Sequence, residues 1–121
     1  LENKTYNIGV EATLEVIGGK WKTIILCHLR GGKRRTSELK RAIPNITQKM
    51  LTQQLRELES DGIISRHIYE QVPPKVDYQL TEYGESLSLI LNKLCVWGEK
   101  HIDRLNEDNQ HVVLMNRDKV S

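Results

Sequence analysis

The chain has 121 residues, 38% hydrophobic and 28% charged, which is material for one domain with a core of its own. No stretch reaches the roughly 18 apolar residues of a membrane span, and no signal-peptide pattern precedes the first predicted helix, so a soluble cytoplasmic protein is expected. The net charge of +2 hides a concentration: from Lys20 to Lys49 nine Lys and Arg stand against one acid, Glu38, a net +8 on a mildly acidic remainder.

Such a segment is the footprint of a polyanion binder; the plainer alternative is a solvated face short of carboxylates. The chain begins at Leu1 rather than methionine, as a trimmed or processed start would leave it. In "VEATLEVIGG", Val10, Leu14 and Ile17 recur at helical spacing and Gly18-Gly19 predicts the stop. "KWKTIILCHLRGG" predicts a second helix, with Trp21, Ile24, Ile25, His28 and Leu29 on or near one face and Gly31-Gly32 as its end. "TSELKRAIP" predicts a short third helix, begun near Thr36 and closed by Pro44, whose ring disfavours helix in the residue before it. Asn45-Ile46 form a tight connection, and the Thr47 hydroxyl caps a fourth helix over 47–61, stopped by Gly62.

After Gly62 the pattern turns to strands. "IISRHIYE" and "KVDYQL" are rich in β-branched and aromatic residues and flank "QVPP". Pro73-Pro74 cannot sit inside a ladder, so they mark the bend of a hairpin. Thr81 then caps a long helix, "TEYGESLSLILNKLCVWGEKHIDRL", which at 25 residues is about 37 Å long. The order predicts an α+β, mostly α chain: a winged helix-turn-helix with a three-helix core, a two-stranded wing and a long C-terminal dimerisation helix. One domain is expected over residues 1–106, with 81–106 as the dimerisation helix, and a loosely held tail over 107–121.

The fourth helix, "TQKMLTQQLRELES", carries the chemistry. At 100° per residue from Thr47, Leu51, Leu55 and Leu58 cluster between about 20° and 80°, while Lys49, Thr52, Gln53 and Arg56 fall between about 140° and 240°. The leucines should anchor the helix and present the other four residues together. Gln pairs bidentately with adenine, Arg and Lys with guanine, and a Thr methyl touches thymine. Thr47 and Gln48 stand at the helix start, where unpaired N–H groups favour a phosphate. Glu57, Glu59 and Asp61 occupy the last third, which favours insertion by the N-terminal half. Arg34 and Arg35 are expected as phosphate clamps, and Lys75 as the wing-tip cation. Arg66 and His67 are weaker candidates on the other strand.

On the long helix Leu87, Ile90, Leu91, Leu94, Trp97, Ile102 and Leu105 form a stripe that one small body can hardly cover. A two-fold partner would cover it together with Val10 and Leu14 of the first helix, and so place two recognition helices one duplex turn apart. The expected partners are therefore double-stranded DNA and a second copy of the chain; the residues specify no effector and no membrane contact. Cys27 and Cys95 lie in apolar helical patterns and predict buried thiols rather than a disulfide. His28, His67, His101 and His111 show no metal-ligand spacing, and there is no phosphate loop, nucleophile elbow or paired-carboxylate constellation. Neither metal, cofactor nor catalysis is expected. The alternative reading is a winged-helix module whose polar fourth helix meets an acidic protein.

These residues resemble the HxlR-type winged-helix transcription regulators of bacteria over residues from about Gly9 to Leu105. The resemblance is carried by "VEATLEVIGGKWK", "GGKRRTSELKRAIPNITQKMLTQQLRELESDGII" and "EQVPPKVDYQLTEYG". It implies a dimeric repressor or activator on a pseudo-palindromic site, with the helix from Thr47 as recognition helix and the hairpin around Pro73-Pro74 as wing. Two positions depart from the family pattern. Ile8-Gly9 stand where many members have Cys-Pro, a cysteine that senses oxidants or electrophiles in several relatives, so that route is not carried to this chain. Thr36 replaces the usual aromatic, which should loosen local packing.

Overall fold

The structure is a computed structural model that describes residues 3–117. The chain forms two compact units that divide between Glu85 and Ser86. In the first unit the elements run α1 (Gly9–Ile17), α2 (Lys22–Leu29), β1 (Arg34–Arg35), α3 (Thr36–Ala42), α4 (Gln48–Ser60), β2 (Ile64–Tyr69), β3 (Lys75–Leu80) and α5 (Glu82–Glu85); the second holds α6 (Ser88–Glu107) and the segment after it. No described helix is long and apolar enough to cross a membrane.

Local chemistry sets the boundaries. Glu11 begins α1 by accepting hydrogen bonds from the backbone N–H of Asn7 and Ile8 at 3.3 and 3.1 Å. The Thr47 hydroxyl accepts from the Met50 N–H at 3.1 Å, the expected cap of α4. The other end of α4 closes through Gly62 at φ +74, with Gly62 N donating to Glu59 O and Ile63 N to Leu58 O, each at 3.0 Å. This paired closure needs a left-handed residue at its centre and joins two apolar residues across the turn. Leu58 and Ile63 are both buried.

The core of the first unit comprises Ile17, Ile25, Leu26, Leu29, Leu39, Ile43, Ile46, Leu51, Leu55, Leu58, Ile63, Ile64, Tyr78 and Leu80. On α2 the buried residues are Ile25, Leu26 and Leu29, whereas Ile24 is exposed, so Leu26 takes the inward place expected of Ile24. Ile46 is 1% exposed, so the α3–α4 connection is a packed corner.

Three elements differ from the sequence expectation. First, the wing is part of a three-stranded antiparallel sheet in the order β1-β3-β2. The added strand is Arg34–Arg35, paired Arg34↔Tyr78 and Arg35↔Asp77. Second, the helix expected from Thr81 to Leu105 is divided by a turn at Ser86-Leu87 into α5 and α6. Gly84, Ser86 and Ser88 are weak helix formers concentrated at this point. Third, the residues after Glu107 are fastened back on α6. Asn106 Nδ2 donates to Val112 O at 3.0 Å, Val112 N donates to Asn106 Oδ1 at 2.8 Å, and Arg117 pairs with Asp103 and Glu99. Residues 118–121 of the expected tail lie outside the described residues.

Candidate nucleic-acid interface

Burial fixes the rotation of α4. Leu51, Leu55 and Leu58 are at most 1% exposed, and each fully buried leucine contributes about 1.5–3 kcal/mol to holding that face inward. Lys49, Gln53 and Arg56 are exposed on the other side, with Thr52 half-buried beside them. Together with Gln48 they line one shallow depression, and Gln48 Nε2 donates to Thr52 Oγ1 at 3.3 Å. Thr47 is exposed, its oxygen accepting from the Met50 amide, which leaves its hydroxyl hydrogen for an outside acceptor.

Glu57 also lines this depression. Its carboxylate meets Lys22 Nζ at 3.2 Å, and the Lys22 side chain is only 11% exposed. Gln54 Nε2 donates to its other oxygen at 3.4 Å. The pair ties α2 to α4 and removes one of the nine cations of the basic segment from the accessible field. Glu57, one of the acids in the last third of α4, is thus a carboxylate already compensated at the edge of the depression.

The register of β1 separates the two arginines. Adjacent strand residues point to opposite faces of a sheet, so Arg34 and Arg35 cannot act as one clamp. Arg34 is half-buried, donates to Lys33 O at 3.0 Å and lies near enough to His28 of α2 to disfavour its charged form. Arg35 is exposed, with its backbone N–H on Glu38 Oε1 at 2.9 Å, which caps α3. Of the expected pair, only Arg35 presents an unengaged side chain to solvent on the hairpin side.

His28 is held below the ordinary histidine range, first by burial and then by the Arg34 and Arg30 charges. The unfolded chain therefore takes up this proton before the folded one, and stability falls as pH drops through about 6.5. His28→Gln should narrow the difference in melting temperature between pH 7.5 and 5.5. An unchanged difference would show that other groups carry the acid sensitivity.

At the hairpin, Lys75 faces Tyr69 as the last pair of the β2–β3 ladder, its Nζ 4.6 Å from the ring centroid. This cation–π contact, which the sequence pattern did not single out, steadies the Lys75 ammonium beside the Pro73-Pro74 bend. Arg66 and His67 are exposed on β2, and His67 Nε2 lies 3.4 Å from Gln79 Nε2.

Of the residues expected at a dimer surface, Val10, Leu14, Ile90, Leu94 and Trp97 are exposed, while Leu87, Ile102 and Leu105 are half-buried. Leu91 is a correction. At 0% exposure in the single chain it offers no surface to a partner. His101 stacks on Trp97 with centroids 5.2 Å apart and extends the exposed row by one turn. Cys27 and Cys95 are half-buried and form no disulfide.

Comparison with known proteins gives this geometry its context. The chain is 68% identical over 113 residues to an HTH-type transcriptional regulator, YtcD, of Bacillus subtilis (strain 168), covering 93% of this chain and 90% of that one. The crystal structure of an HTH-type transcriptional regulator named ytcD is 71% identical, with TM-score 0.74, covering 78% of this chain and 96% of its own. The reduced form of the redox regulator HypR is 55% identical, with TM-score 0.76 and coverage of 81% and 97%. The family model for the HxlR-like helix-turn-helix matches residues 16–106, from the end of α1 almost to the end of α6. With its recognition-type helix, its winged sheet and these relatives, the chain belongs to the HxlR-like helix-turn-helix family of transcriptional regulators.

Proposed function

We propose that this regulator acts as a homodimer on a pseudo-palindromic operator. In this reading α4 enters the major groove and reads bases through Lys49, Thr52, Gln53 and Arg56, with Thr47 and Gln48 at a phosphate. Arg35 and Lys75 hold the flanking backbone. The exposed apolar residues of α1 and α6 form the contacts with the second copy, and two-fold symmetry then sets the recognition helices about 34 Å apart. The observation that carries the proposal is the two-sided α4: three buried leucines on one side, and amides and cations gathered around one depression on the other.

The test is duplex binding against salt, with log affinity falling by about 0.9 per phosphate neutralised. Gln53→Ala or Arg56→Ala should cost about 1–3 kcal/mol on the operator and little on unrelated DNA. Equal losses on both would reduce these residues to backbone contacts. Arg35→Ala should weaken both duplexes alike and flatten the salt slope by about one unit; a loss confined to the operator would make it a base reader.

A further inference from the structure

We propose that the cleft between the start of α3 and the β2–β3 hairpin takes a backbone phosphate of DNA beside the bases read by α4, and that Asp77 in its lining keeps the contact weak. This rests on the DNA-binding reading above and adds a contact that the recognition helix does not supply.

The cleft holds about 520 Å³, and its cationic lining is Lys33, Arg35, Arg41 and Lys75, with the Ser37 hydroxyl among them. Ser37 and Arg41 are four residues apart on α3, so they lie one above the other on a single helix face. A neighbouring hollow of about 350 Å³ shares Arg35, Ser37 and Lys75, which places these three on the ridge between the two depressions. Glu38 is a lining acid as well, but one of its oxygens is engaged by the Arg35 backbone N–H.

Asp77 is the unusual member. It is 4% exposed, and on β3 it stands opposite both Arg35 of β1 and His67 of β2. Directly opposed residues share a sheet face, so Asp77 stands on the same face as Arg35 and His67, and with Arg35 it lines the cleft. Even so, Asp77 Oδ1 is buried with no hydrogen-bond partner. Leaving a carboxylate so placed is costly unless cations nearby offset it, and here the surrounding cations are the ones that face the cleft. Its negative charge subtracts from their attraction for an incoming phosphate at every DNA sequence equally. The effect is a lower non-specific affinity with base discrimination left to α4.

Operator and unrelated duplexes, titrated against the full chain over a salt series, test both parts. Arg41→Gln should lower affinity for both duplexes about five- to tenfold and flatten the log–log salt slope by about 0.9. Asp77→Asn should raise affinity for both about three- to tenfold at low salt, the gain shrinking as salt screens the charge. The ratio between operator and unrelated DNA should not change. Unaltered binding by Arg41→Gln overturns the phosphate site; unaltered or lowered affinity in a folded Asp77→Asn overturns the restraint. If Asp77→Asn does not fold, Asp77→Ser, equally uncharged, gives the same readout. Displacement of DNA by inorganic pyrophosphate at constant ionic strength, lost in Arg41→Gln, would assign the cleft to a free anion and overturn the DNA assignment. A wild-type chain that binds no duplex removes the DNA reading itself, whereas binding that survives Arg41→Gln removes only the cleft.

Discussion

A chain carrying Leu94→Glu together with Trp97→Glu is expected to sediment as a monomer and to bind its operator at least about a hundredfold more weakly, with its helical content unchanged. Leu94 and Trp97 are 49% and 68% exposed, and Ile90 one turn earlier is 45% exposed. Contiguous apolar rows of this kind are seldom left facing water, and covering them gains roughly 25 cal/mol for each Å² removed. Two glutamates in that row would have to be desolvated against their own symmetry mates, which no close interface tolerates. Because both side chains already face solvent, the substitutions cost the single chain little packing beyond the exposed Trp97–His101 stack. On the proposed two-half-site operator, the second half-site would be met at the high effective concentration that a linked pair supplies, and forfeiting such linkage costs about 10²–10⁴ in affinity. Sedimentation equilibrium and operator titration check the two parts separately. Variants that remain dimeric would move the interface elsewhere. Monomers that bind undiminished would mean that one half-site suffices.

How much of this could be read from the amino acids depended on whether a feature was periodic. The α4 face was legible because a 13-residue helix with three core leucines allows only one rotation, so the placement of Lys49, Gln53 and Arg56 followed. The hairpin was legible within about one residue at each end, because Pro73-Pro74 interrupt two β-rich runs. By contrast, β1 is two arginines long. No alternation exists in two residues, and only pairing with β3 makes them a strand and turns their side chains apart. The same pairing set Arg35 and His67 beside Asp77, an arrangement that involves three distant segments and leaves no local trace. Lys22 and Glu57 are 35 residues apart, so their ion pair was equally hidden, and charge counting along the chain overstated the accessible cations. The break at Ser86-Leu87 was present in composition, in Gly84, Ser86 and Ser88, but the apolar period running through it suggested continuity. Leu91 was assigned to the outer stripe because a helical wheel does not say which part of an apolar arc the chain covers for itself.

Gly84 yields the sharpest test of how the end of α4, the start of β2 and α5 are fitted together. Replacing a helical glycine with alanine ordinarily stabilises by about 0.5–1 kcal/mol, since the unfolded chain loses freedom. At Gly84 the sign should reverse. A Cβ there would lie 2.0 Å from Ile63 O and 3.0 Å from its carbonyl carbon, and neither is the end of a flexible side chain. Ile63 O cannot simply retreat, because it accepts from the Thr81 N–H at 3.0 Å, and Ile63 N is bound to Leu58 O in the closure of α4. Thr81 is held in turn: its hydroxyl lies 2.6 Å from Gly62 O and caps Gly84 N at 2.9 Å. Making room for one methyl therefore breaks a connected set of backbone bonds. Overpacking costs about 1–3 kcal/mol, and a backbone clash at 2.0 Å puts Gly84 at the upper end, roughly 10 °C or more of melting temperature for a domain of this size. Gly98 supplies the internal control. It lies within α6 with nothing inside 4 Å of its would-be Cβ, so Gly98→Ala should raise the melting temperature by a few degrees. Thermal unfolding of the two variants should move in opposite directions. A Gly84→Ala protein as stable as its Gly98→Ala counterpart would mean that α5 slides freely past Ile63, and that the Thr81 bonds do not lock the end of α4 in place.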